Sequence, residues 1–260
     1  MPVLRLDSLA HGGEAVGRLD GKVVFVIGGI PGELVRVDIV EDTPRYSRAR
    51  LIEVLEASPD RIVPPCPHYN ECGGCHLQHL RYERQLDAKT TIVRDQLARL
   101  GGIANPPVLP MVGMAAPWAY RNHVQLHAHA RQLGYRRPRS HEVVPVRHCL
   151  IAHPLLDAMW PGEVPATVER LTLRAGHATG ERLALVEARE ALDGASLRLP
   201  EDVAIVQDLG TTVRALRHGP WLHDQLLGFT MRVSARAFFQ NNTMQAEVLA
   251  RIAGEWLALQ

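Results

Sequence analysis

Residues 3–61 alternate hydrophobic and polar positions in short runs that are separated by turn residues. Alternation with a period of two is typical of β-strands that bury one face. Asp20-Gly21 lies between two of the runs and predicts a two-residue hairpin turn. The predicted strands are Val3–Ser8, Glu14–Leu19, Lys22–Val26, Glu33–Val40 and Arg48–Leu55. Short strands at this density predict a small closed barrel of the OB kind.

Helical periodicity appears in two places along the chain. Apolar residues recur at helical spacing over Leu80–Leu100, and Gly101-Gly102 ends the pattern. The apolar positions of this first helix are Tyr82, Leu86, Val93, Leu97 and Leu100. A second helix is predicted over Thr243–Leu259, where Asn242 and Gln245 have the spacing of a capping box.

Between the two helices, alternating segments predict a mixed α+β sheet domain. The predicted strands are Tyr120–Ala130, Gln132–Tyr135, Glu142–Val146, Thr167–Arg174, Arg182–Ala188, Val203–Gln207, Thr212–Arg217 and Leu226–Val233. The second and third of these strands form a predicted hairpin whose loop, residues 136–141, is rich in arginine.

The length of 260 residues leaves room for about two domains. The apolar runs are too short to span a membrane. Met1–Leu9 contains Arg5 and Asp7 and has the pattern of a strand rather than of a signal peptide. We therefore expect a cytoplasmic protein without a membrane partner.

Positive charge is concentrated in the middle of the chain, although the net charge is only +1. Residues 121–150 contain six arginines and one acidic residue. Arginine recognises phosphate groups through two parallel hydrogen bonds, although codon bias would also favour arginine over lysine. The sequence therefore predicts RNA contacts at Arg136, Arg137 and Arg139.

A second basic stretch, residues 44–50, lies at one edge of the predicted barrel. It contains a tyrosine, and aromatic side chains among arginines are typical of surfaces that bind single-stranded RNA. The predicted RNA contacts here are Arg45, Tyr46 and Arg48, together with Phe25 on the third strand. The alternative is a charged surface that contacts only solvent.

All four cysteines follow the pattern C-x5-C-x2-C-x73-C, formed by Cys66, Cys72, Cys75 and Cys149. Clustered cysteines in a chain without a signal peptide indicate a metal site rather than disulfides. A local trio with one distant ligand is typical of iron–sulfur clusters, whereas zinc sites usually combine two short pairs. Zinc or no metal remain the alternatives, and His148 is an alternative ligand beside Cys149.

Three stretches together resemble one enzyme family. They are the barrel with Val23–Val26 and Ile30–Glu33, the cysteine loop 66–75 extended by His76–His79, and Phe238-Phe239-Gln240-Asn241-Asn242. The family is that of the RNA (uracil-C5)-methyltransferases that carry a TRAM domain and a [4Fe–4S] cluster. The bacterial enzymes that act on 23S rRNA are the most similar type.

The resemblance implies roles for individual residues. Cys66, Cys72, Cys75 and Cys149 would bind the [4Fe–4S] cluster, and Gln240 would contact S-adenosylmethionine. Phe239 and Asn242 fit the same motif, whereas Asn241 stands where the family often has valine. Tyr120-Arg121-Asn122 resembles a stretch close to the RNA, which makes Arg121 and Asn122 further predicted RNA contacts. Ribosomal RNA is expected over transfer RNA, because the bacterial enzymes that act on transfer RNA lack the barrel and the cluster.

One feature of the family is not found in the sequence. The family's catalytic domain is Rossmann-like, with a Gly-rich loop after a strand, and no such pattern occurs in the 260 residues. All four cysteines are assigned to the cluster, so none is left to attack uracil. We therefore expect a mixed β and α+β fold in which the C-terminal methyltransferase domain is absent. Such a chain would be inactive alone, and a catalytic domain supplied in trans would be a possible partner.

The predicted organisation has five parts. It comprises a TRAM barrel over 1–61, a cluster loop over 62–79, a docking helix over 80–102, an α+β domain over 103–240 and the start of a linker over 241–260. The main alternative is a standalone RNA-binding protein with a structural iron–sulfur or zinc site. A radical enzyme using S-adenosylmethionine does not fit, because that chemistry uses C-x3-C-x2-C and leaves one iron open.

Overall fold

The computed structural model describes residues 1–257. The predicted end of the last helix at Leu259 lies outside the described residues. The chain divides into two compact units. The first comprises residues 1–69 and 75–113, and the second comprises residues 70–74 and those from 114 onward. Among the described helices, none is long and apolar enough to cross a membrane.

The first unit is built on a closed barrel, as the alternation predicts. Its strands are β1 (Val3–Leu9), β2 (Ala15–Leu19), β3 (Lys22–Ile27), β4 (Leu34–Asp42) and β5 (Tyr46–Glu56). The order around the barrel is β1-β2-β3-β5-β4, with β3 and β5 parallel and the other neighbours antiparallel. Alternate residues of each strand fill the interior, for example Leu4 and Leu6 of β1.

A fully buried carboxylate, that of Glu33, lies beneath the loop that precedes β4. A buried charge must be paired, and Arg61 pairs with it through two contacts, Nε to Oε1 at 2.5 Å and Nη2 to Oε2 at 2.8 Å. The backbone N–H of Ile30 also donates to Oε2, at 3.0 Å. Arg61 further donates to the Gly28 oxygen at 2.8 Å. This ion pair therefore joins the loop 28–33 to the segment that leaves the barrel.

Helix α1 (Tyr82–Arg99) packs on the barrel core through Ala88 and Ile92. The predicted helix is confirmed, although its apolar stripe is only partly buried. Val93 and Leu97 are 39% and 37% exposed, because Ala88 and Ile92, which lie outside the predicted stripe, are the helix residues that pack on the barrel core. A loop returns along the helix, since the Met111 N–H donates to Thr90 Oγ1 at 3.0 Å.

The second unit contains a seven-stranded mixed sheet and a separate hairpin. The strands are β6 (His123–His129), β7 (Gln132–Arg136), β8 (Val143–Pro145), β9 (Val168–Ala175), β10 (Arg182–Ala188), β11 (Ala204–Asp208), β12 (Val213–Arg217), β13 (Trp221–Leu226) and β14 (Phe229–Ser234). The sheet order is β12-β11-β10-β9-β6-β7-β8, and only β10 and β11 pair in parallel. Two helices complete the unit, α2 (Pro154–Asp157) and α3 (Thr243–Trp256).

Both faces of this sheet are covered, but unequally. One face packs on a large apolar core, to which β10 contributes Ala184 and Val186. The opposite face packs on the β13–β14 hairpin through Leu183 and Leu185. The hairpin covers the part of this face that contains Leu183 and Leu185. Glu187, near the other end of β10, lies outside the covered part. The uncovered half carries polar residues.

One strand prediction is wrong. Leu226–Val233 was predicted as a single strand, whereas the chain turns inside it at Leu227-Gly228 to form the β13–β14 hairpin. Both turn residues have positive φ, 52° and 82°, which is the geometry of the hairpin turn that matches strand twist. Leucine rarely adopts this conformation, so the sequence gives no ordinary turn signal here.

Candidate functional site

The segment 238–242 is held by the side chain of Asn122, which is only 4% exposed. Asn122 Nδ2 donates to the Gln240 oxygen at 2.9 Å and to Thr243 Oγ1 at 2.8 Å. The Asn122 backbone N–H donates to the Asn241 oxygen at 2.9 Å. Asn122, the residue before β6, therefore fixes groups of three residues, Gln240, Asn241 and Thr243, at the entrance to α3.

A buried carboxylate extends this network. Thr243 Oγ1 donates to Asp224 Oδ2 at 3.1 Å, and Asp224 is 1% exposed. The N–H groups of Ala178 and Gln225 both donate to Asp224 Oδ1, each at 2.9 Å. Three donors thus stabilise the buried carboxylate, as a group removed from water requires.

Arg174 and His123 hold the other side of the same segment. Arg174 donates to the oxygens of Ser234 and Ala237. Burial lowers the pKa of the Arg174 guanidinium. Burial, aided by the Arg174 charge, lowers the pKa of His123 to about 4, so its ring is neutral near pH 7. His123 Nδ1 lies 3.2 Å from Asn241 Oδ1, which gives a role to the asparagine that stands in place of valine.

The network leaves Gln240 on the surface. Phe239 packs inward against the β13–β14 core, whereas Phe238 is 83% exposed and Gln240 is also exposed. Asn242 caps α3, since its Oδ1 accepts the Gln245 N–H at 3.0 Å, which confirms the predicted cap. The segment therefore presents the Gln240 side chain outward from a rigid backbone.

The barrel-edge residues lie together on the first unit. Phe25 and Tyr46 make an edge-to-face contact with their ring centroids 5.8 Å apart, and the Arg48 guanidinium lies 5.5 Å from the Tyr46 ring centroid. Arg48 is also paired with Glu14 at 3.6 Å and with Glu41 at 3.2 Å. The barrel itself therefore neutralises Arg48, and the exposed Arg45 supplies the available charge at this edge.

The arginine-rich loop 136–141, called the arginine loop below, has a structural role that the sequence did not predict. Arg137 pairs with Glu71 and Glu142, each at 2.8 Å. The Gly73 N–H donates to the Arg136 oxygen at 2.9 Å, and a Cβ on Gly73 would lie 2.8 Å from that oxygen. These contacts fix residues 70–74 to the loop and engage the charge of Arg137. Arg139 has a φ of 56° in the loop, and Arg121 is half-buried.

The cysteines are all free and half-buried, two in each unit. Cys66 and Cys75 belong to the first unit, and Cys72 and Cys149 belong to the second. Burial, together with the Cys149 and Cys72 thiols, raises the pKa of Tyr135. In the first unit, burial and the Cys75 thiol raise the pKa of Tyr69. Within residues 1–257, no three His, Cys, Asp or Glu side chains are grouped closely enough to hold a metal ion.

The residues after the cysteine trio attach it to the barrel. Cys66 N–H donates to Gln78 Oε1 at 3.3 Å. His79 is buried, and its Nε2 lies 3.3 Å from the Gly29 oxygen while Tyr69 Oη lies 2.5 Å from its Nδ1. Burial lowers the pKa of His79, so the neutral ring donates from Nε2 and accepts the tyrosine hydroxyl at Nδ1. His148, the alternative ligand, instead places Nδ1 2.6 Å from Asp157 Oδ2.

Comparison with known proteins supports this architecture. Residues 3–52 match the model of the TRAM domain. Relatives named as uncharacterised RNA methyltransferases include one from Bacillus cereus, 31% identical over 94% of this chain, and one from Thermosynechococcus vestitus, 31% identical over 98%. The chain is homologous to RNA methyltransferases. It spans 61% and 65% of the lengths of these two relatives.

A solved structure has the same fold. It is the Pyrococcus abyssi tRNA (uracil-54, C5)-methyltransferase in complex with S-adenosyl-L-homocysteine. The match covers 97% of this chain and 64% of that one, with a TM-score of 0.70 and 20% sequence identity. At that identity the likeness concerns the fold alone.

The predicted absence of a C-terminal Rossmann-like methyltransferase domain is wrong. The relatives and the solved neighbour match 94–98% and 97% of this chain, so nearly all of its residues align with methyltransferases and a missing domain has no support. The prediction relied on the absence of a Gly-rich loop pattern and on the assignment of all four cysteines to the cluster.

Proposed function

We propose that the protein is an S-adenosylmethionine-dependent RNA methyltransferase that acts on carbon 5 of uracil. The observation that carries the proposal is the fold match to an enzyme named for tRNA uracil-54 C5 methylation and solved with S-adenosyl-L-homocysteine. S-adenosyl-L-homocysteine is what remains when S-adenosylmethionine has transferred its methyl group. The homology to RNA methyltransferases over 94% of the chain supports the same conclusion.

In this proposal Gln240 contacts S-adenosylmethionine. Its side chain is exposed, while its backbone oxygen accepts the hydrogen bond from Asn122. A contact residue on a backbone that is fixed from behind is pre-organised, so little freedom is lost when the cofactor binds. For Asn122, a predicted RNA contact, we propose a positioning role for the segment 240–243, which its burial and its engaged amide support.

The proposed RNA contacts are divided between the two units. In the first unit they are Phe25, Arg45, Tyr46 and Arg48, where two aromatic rings and one unneutralised arginine form a surface for stacking bases and holding phosphate. In the second unit they are Arg121, Arg136, Arg137 and Arg139. Arg137 contributes mainly by fixing its loop, because both of its charge partners are within the protein.

The chemistry sets requirements beyond binding. Methyl transfer to uracil carbon 5 requires a thiolate that adds to carbon 6 and a base that removes the proton from carbon 5. We assign neither group to a residue of this chain. In this proposal the described residues bind RNA and provide a fixed contact for the cofactor.

We further propose that Cys66, Cys72, Cys75 and Cys149 bind a [4Fe–4S] cluster. The support is their spacing, the free state of all four thiols and the cysteine ligation that such clusters use. Protein purified without oxygen should contain about four irons and four sulfides per chain. Cys149→Ser should lose iron, whereas His148→Ala should retain it. If the purified protein instead contains one zinc per chain and no sulfide, the cluster proposal is contradicted and the zinc alternative is favoured.

The proposed activity is tested by methyl transfer. The complete gene product that contains these residues is incubated with S-adenosylmethionine labelled in its methyl group and with transcripts of ribosomal or transfer RNA. We expect label in ribosomal RNA above transfer RNA, and a loss of affinity for the cofactor in Gln240→Ala. Label in transfer RNA alone would reverse the substrate assignment. No label in either RNA would contradict the proposed function.

A further inference from the structure

An open cleft crosses the uncovered half of the sheet in the second unit, on the face that β13–β14 leaves free. The register places His127 of β6 opposite Arg170 of β9, and Arg170 opposite Glu187 of β10. Directly paired residues on neighbouring strands point to the same face of a sheet. These three side chains therefore form a polar floor that runs across the strands.

The cleft has a volume of 610 Å³ over this floor, and positive groups are in excess along it. Four arginines and three histidines line it, against two glutamates. Both glutamates are already paired, Glu187 with Arg170 and Glu169 with Arg189. Arg131 and Arg136 are the cleft arginines that neither of these glutamates pairs with.

Arg136 is the arginine of this cleft that has no charge partner among the described residues. Its side chain makes no ion pair or hydrogen bond with any residue in the described part of the chain, whereas Arg131 pairs with Glu163 at 3.3 Å. Burial, together with the nearby charges of Arg136 and Arg170, lowers the pKa of His127. Of the four arginines that line the cleft, Arg136 is therefore the one whose charge no carboxylate of the described residues pairs with.

The cleft continues beyond this volume. A second open region of 760 Å³ shares Glu169, Arg170, Glu187 and Arg189 with the first and extends to Arg236, which is paired with Asp208. Glu190 and Asp208 also line this second region, so its carboxylates outnumber its arginines. The two regions share a wall and form one groove across the sheet, and its positive part is the first region, which Arg136 lines. This part is open and polar, so it fits a strand that passes across it better than a compact ligand, because compact ligand sites are mostly enclosed and apolar.

We propose that this groove binds the phosphodiester backbone of a single RNA strand, with Arg136 as its main phosphate contact. The proposal rests on the proposed function, since it takes RNA as the ligand. It adds a binding site on the sheet, separate from the barrel edge. Phosphate contacts of this kind position a strand without reading its sequence.

The first test is a charge reversal. Arg136→Glu is compared with Arg99→Glu, which makes the same charge change on the exposed end of α1 in the other unit. Binding of a short single-stranded RNA to the chain is measured at several salt concentrations. Arg136→Glu should bind several-fold more weakly, and its salt slope should fall by about 0.7 for the lost phosphate contact. Arg99→Glu should bind like the parent, and thermal melting checks that both variants fold.

The second test locates the strand. His129 and His141 line the groove and are exposed, while His218 is exposed elsewhere in the same unit. Chemical modification of histidines, read by mass spectrometry, should be suppressed by RNA at His129 and His141 and unchanged at His218. If RNA binds while both groove histidines stay reactive, and if Arg136→Glu binds RNA as tightly as the parent, the proposed groove site is contradicted. The proposed function would not be affected by that result. No RNA binding by the parent chain would overturn both.

Discussion

Asn122 Nδ2 and the backbone oxygen of Gln240 are joined by a hydrogen bond of 2.9 Å, although 118 residues separate them in the sequence. This bond connects the start of the central sheet to the segment that we assign to the cofactor. Asn122 is buried, so both of its acceptors, the Gln240 oxygen and Thr243 Oγ1, depend on it. The position of Gln240 is therefore set by a residue that itself reaches no ligand.

Asn122→Ala should destabilise the second unit. The substitution leaves buried polar groups without partners, and each such loss costs about 1–3 kcal/mol. Urea denaturation measures the change in the free energy of unfolding. Gln132→Ala, on an exposed position of β7, is the control and should change it by less than about 0.5 kcal/mol. Equal changes in the free energy of unfolding in the two variants would contradict the structural role of Asn122.

His123 should make the protein less stable as the pH falls. Its folded pKa, about 4, lies below the ordinary 6.5, so the unfolded chain binds more protons between these values. This contribution is present in full above pH 6.5 and is lost as the pH falls to about 4. It amounts to at most about 3 kcal/mol, since one pKa unit corresponds to about 1.4 kcal/mol.

The check is His123→Asn, whose side-chain amide can still donate to Asn241. Urea denaturation at a series of pH values should give a shallower loss of stability in this variant than in the parent. His11→Asn, at an exposed position of the barrel unit, should follow the parent curve. Identical curves for all three proteins would show that His123 is not buried as a neutral ring.

The Glu33–Arg61 pair should be essential to the barrel. Arg61→Met leaves the fully buried Glu33 carboxylate with only one backbone donor, and an unpaired buried charge costs about 3–5 kcal/mol. Arg36→Met removes a surface pair with Glu53 at 3.1 Å and should cost less than about 1 kcal/mol. Hydrogen exchange measures the protection of the barrel amides in both variants, and Arg61→Met should lose more protection than Arg36→Met. Comparable protection in both variants would contradict the assigned role.

Gly73 should tolerate no side chain. A Cβ there would lie 2.8 Å from the Arg136 oxygen, which is backbone and has little room to move, whereas a Cβ on Gly74 would meet only Cys72 Sγ at an ordinary 3.4 Å. Gly73→Ala should release residues 70–74 from the arginine loop and make them sensitive to proteolysis. Gly74→Ala should be cleaved no faster than the parent. Equal cleavage of both variants would show that this close approach does not matter.

The barrel could be predicted from the sequence because its information is local. Alternating residues such as Leu4 and Leu6 show which face of β1 is buried, and Asp20-Gly21 indicates the turn between two strands. The α1 helix was also predictable, but its buried face was not. That face depends on Ala88 and Ile92 meeting the barrel, a tertiary contact that helical periodicity alone does not specify.

The candidate site was only partly predictable for a related reason. Gln240 and the cysteines belong to short motifs, whereas the residues that hold the segment 238–242 are far apart in sequence. Asp224, Arg174 and His123 are polar residues within strands, a pattern that usually indicates the exposed face of a sheet. Their hydrogen-bond partners lie on distant segments, as Ser234 does for Arg174, and a local sequence pattern does not reveal such partners.

The most direct test of the central claim follows the hydrogen on carbon 5 of uracil. RNA with tritium at that carbon is incubated with the complete gene product and S-adenosylmethionine, and tritium released to water is compared with methyl groups incorporated. Methylation at carbon 5 must remove this hydrogen, so the account predicts one tritium released for each methyl group gained. Methyl incorporation with the tritium retained would place the reaction elsewhere on the RNA and contradict the account.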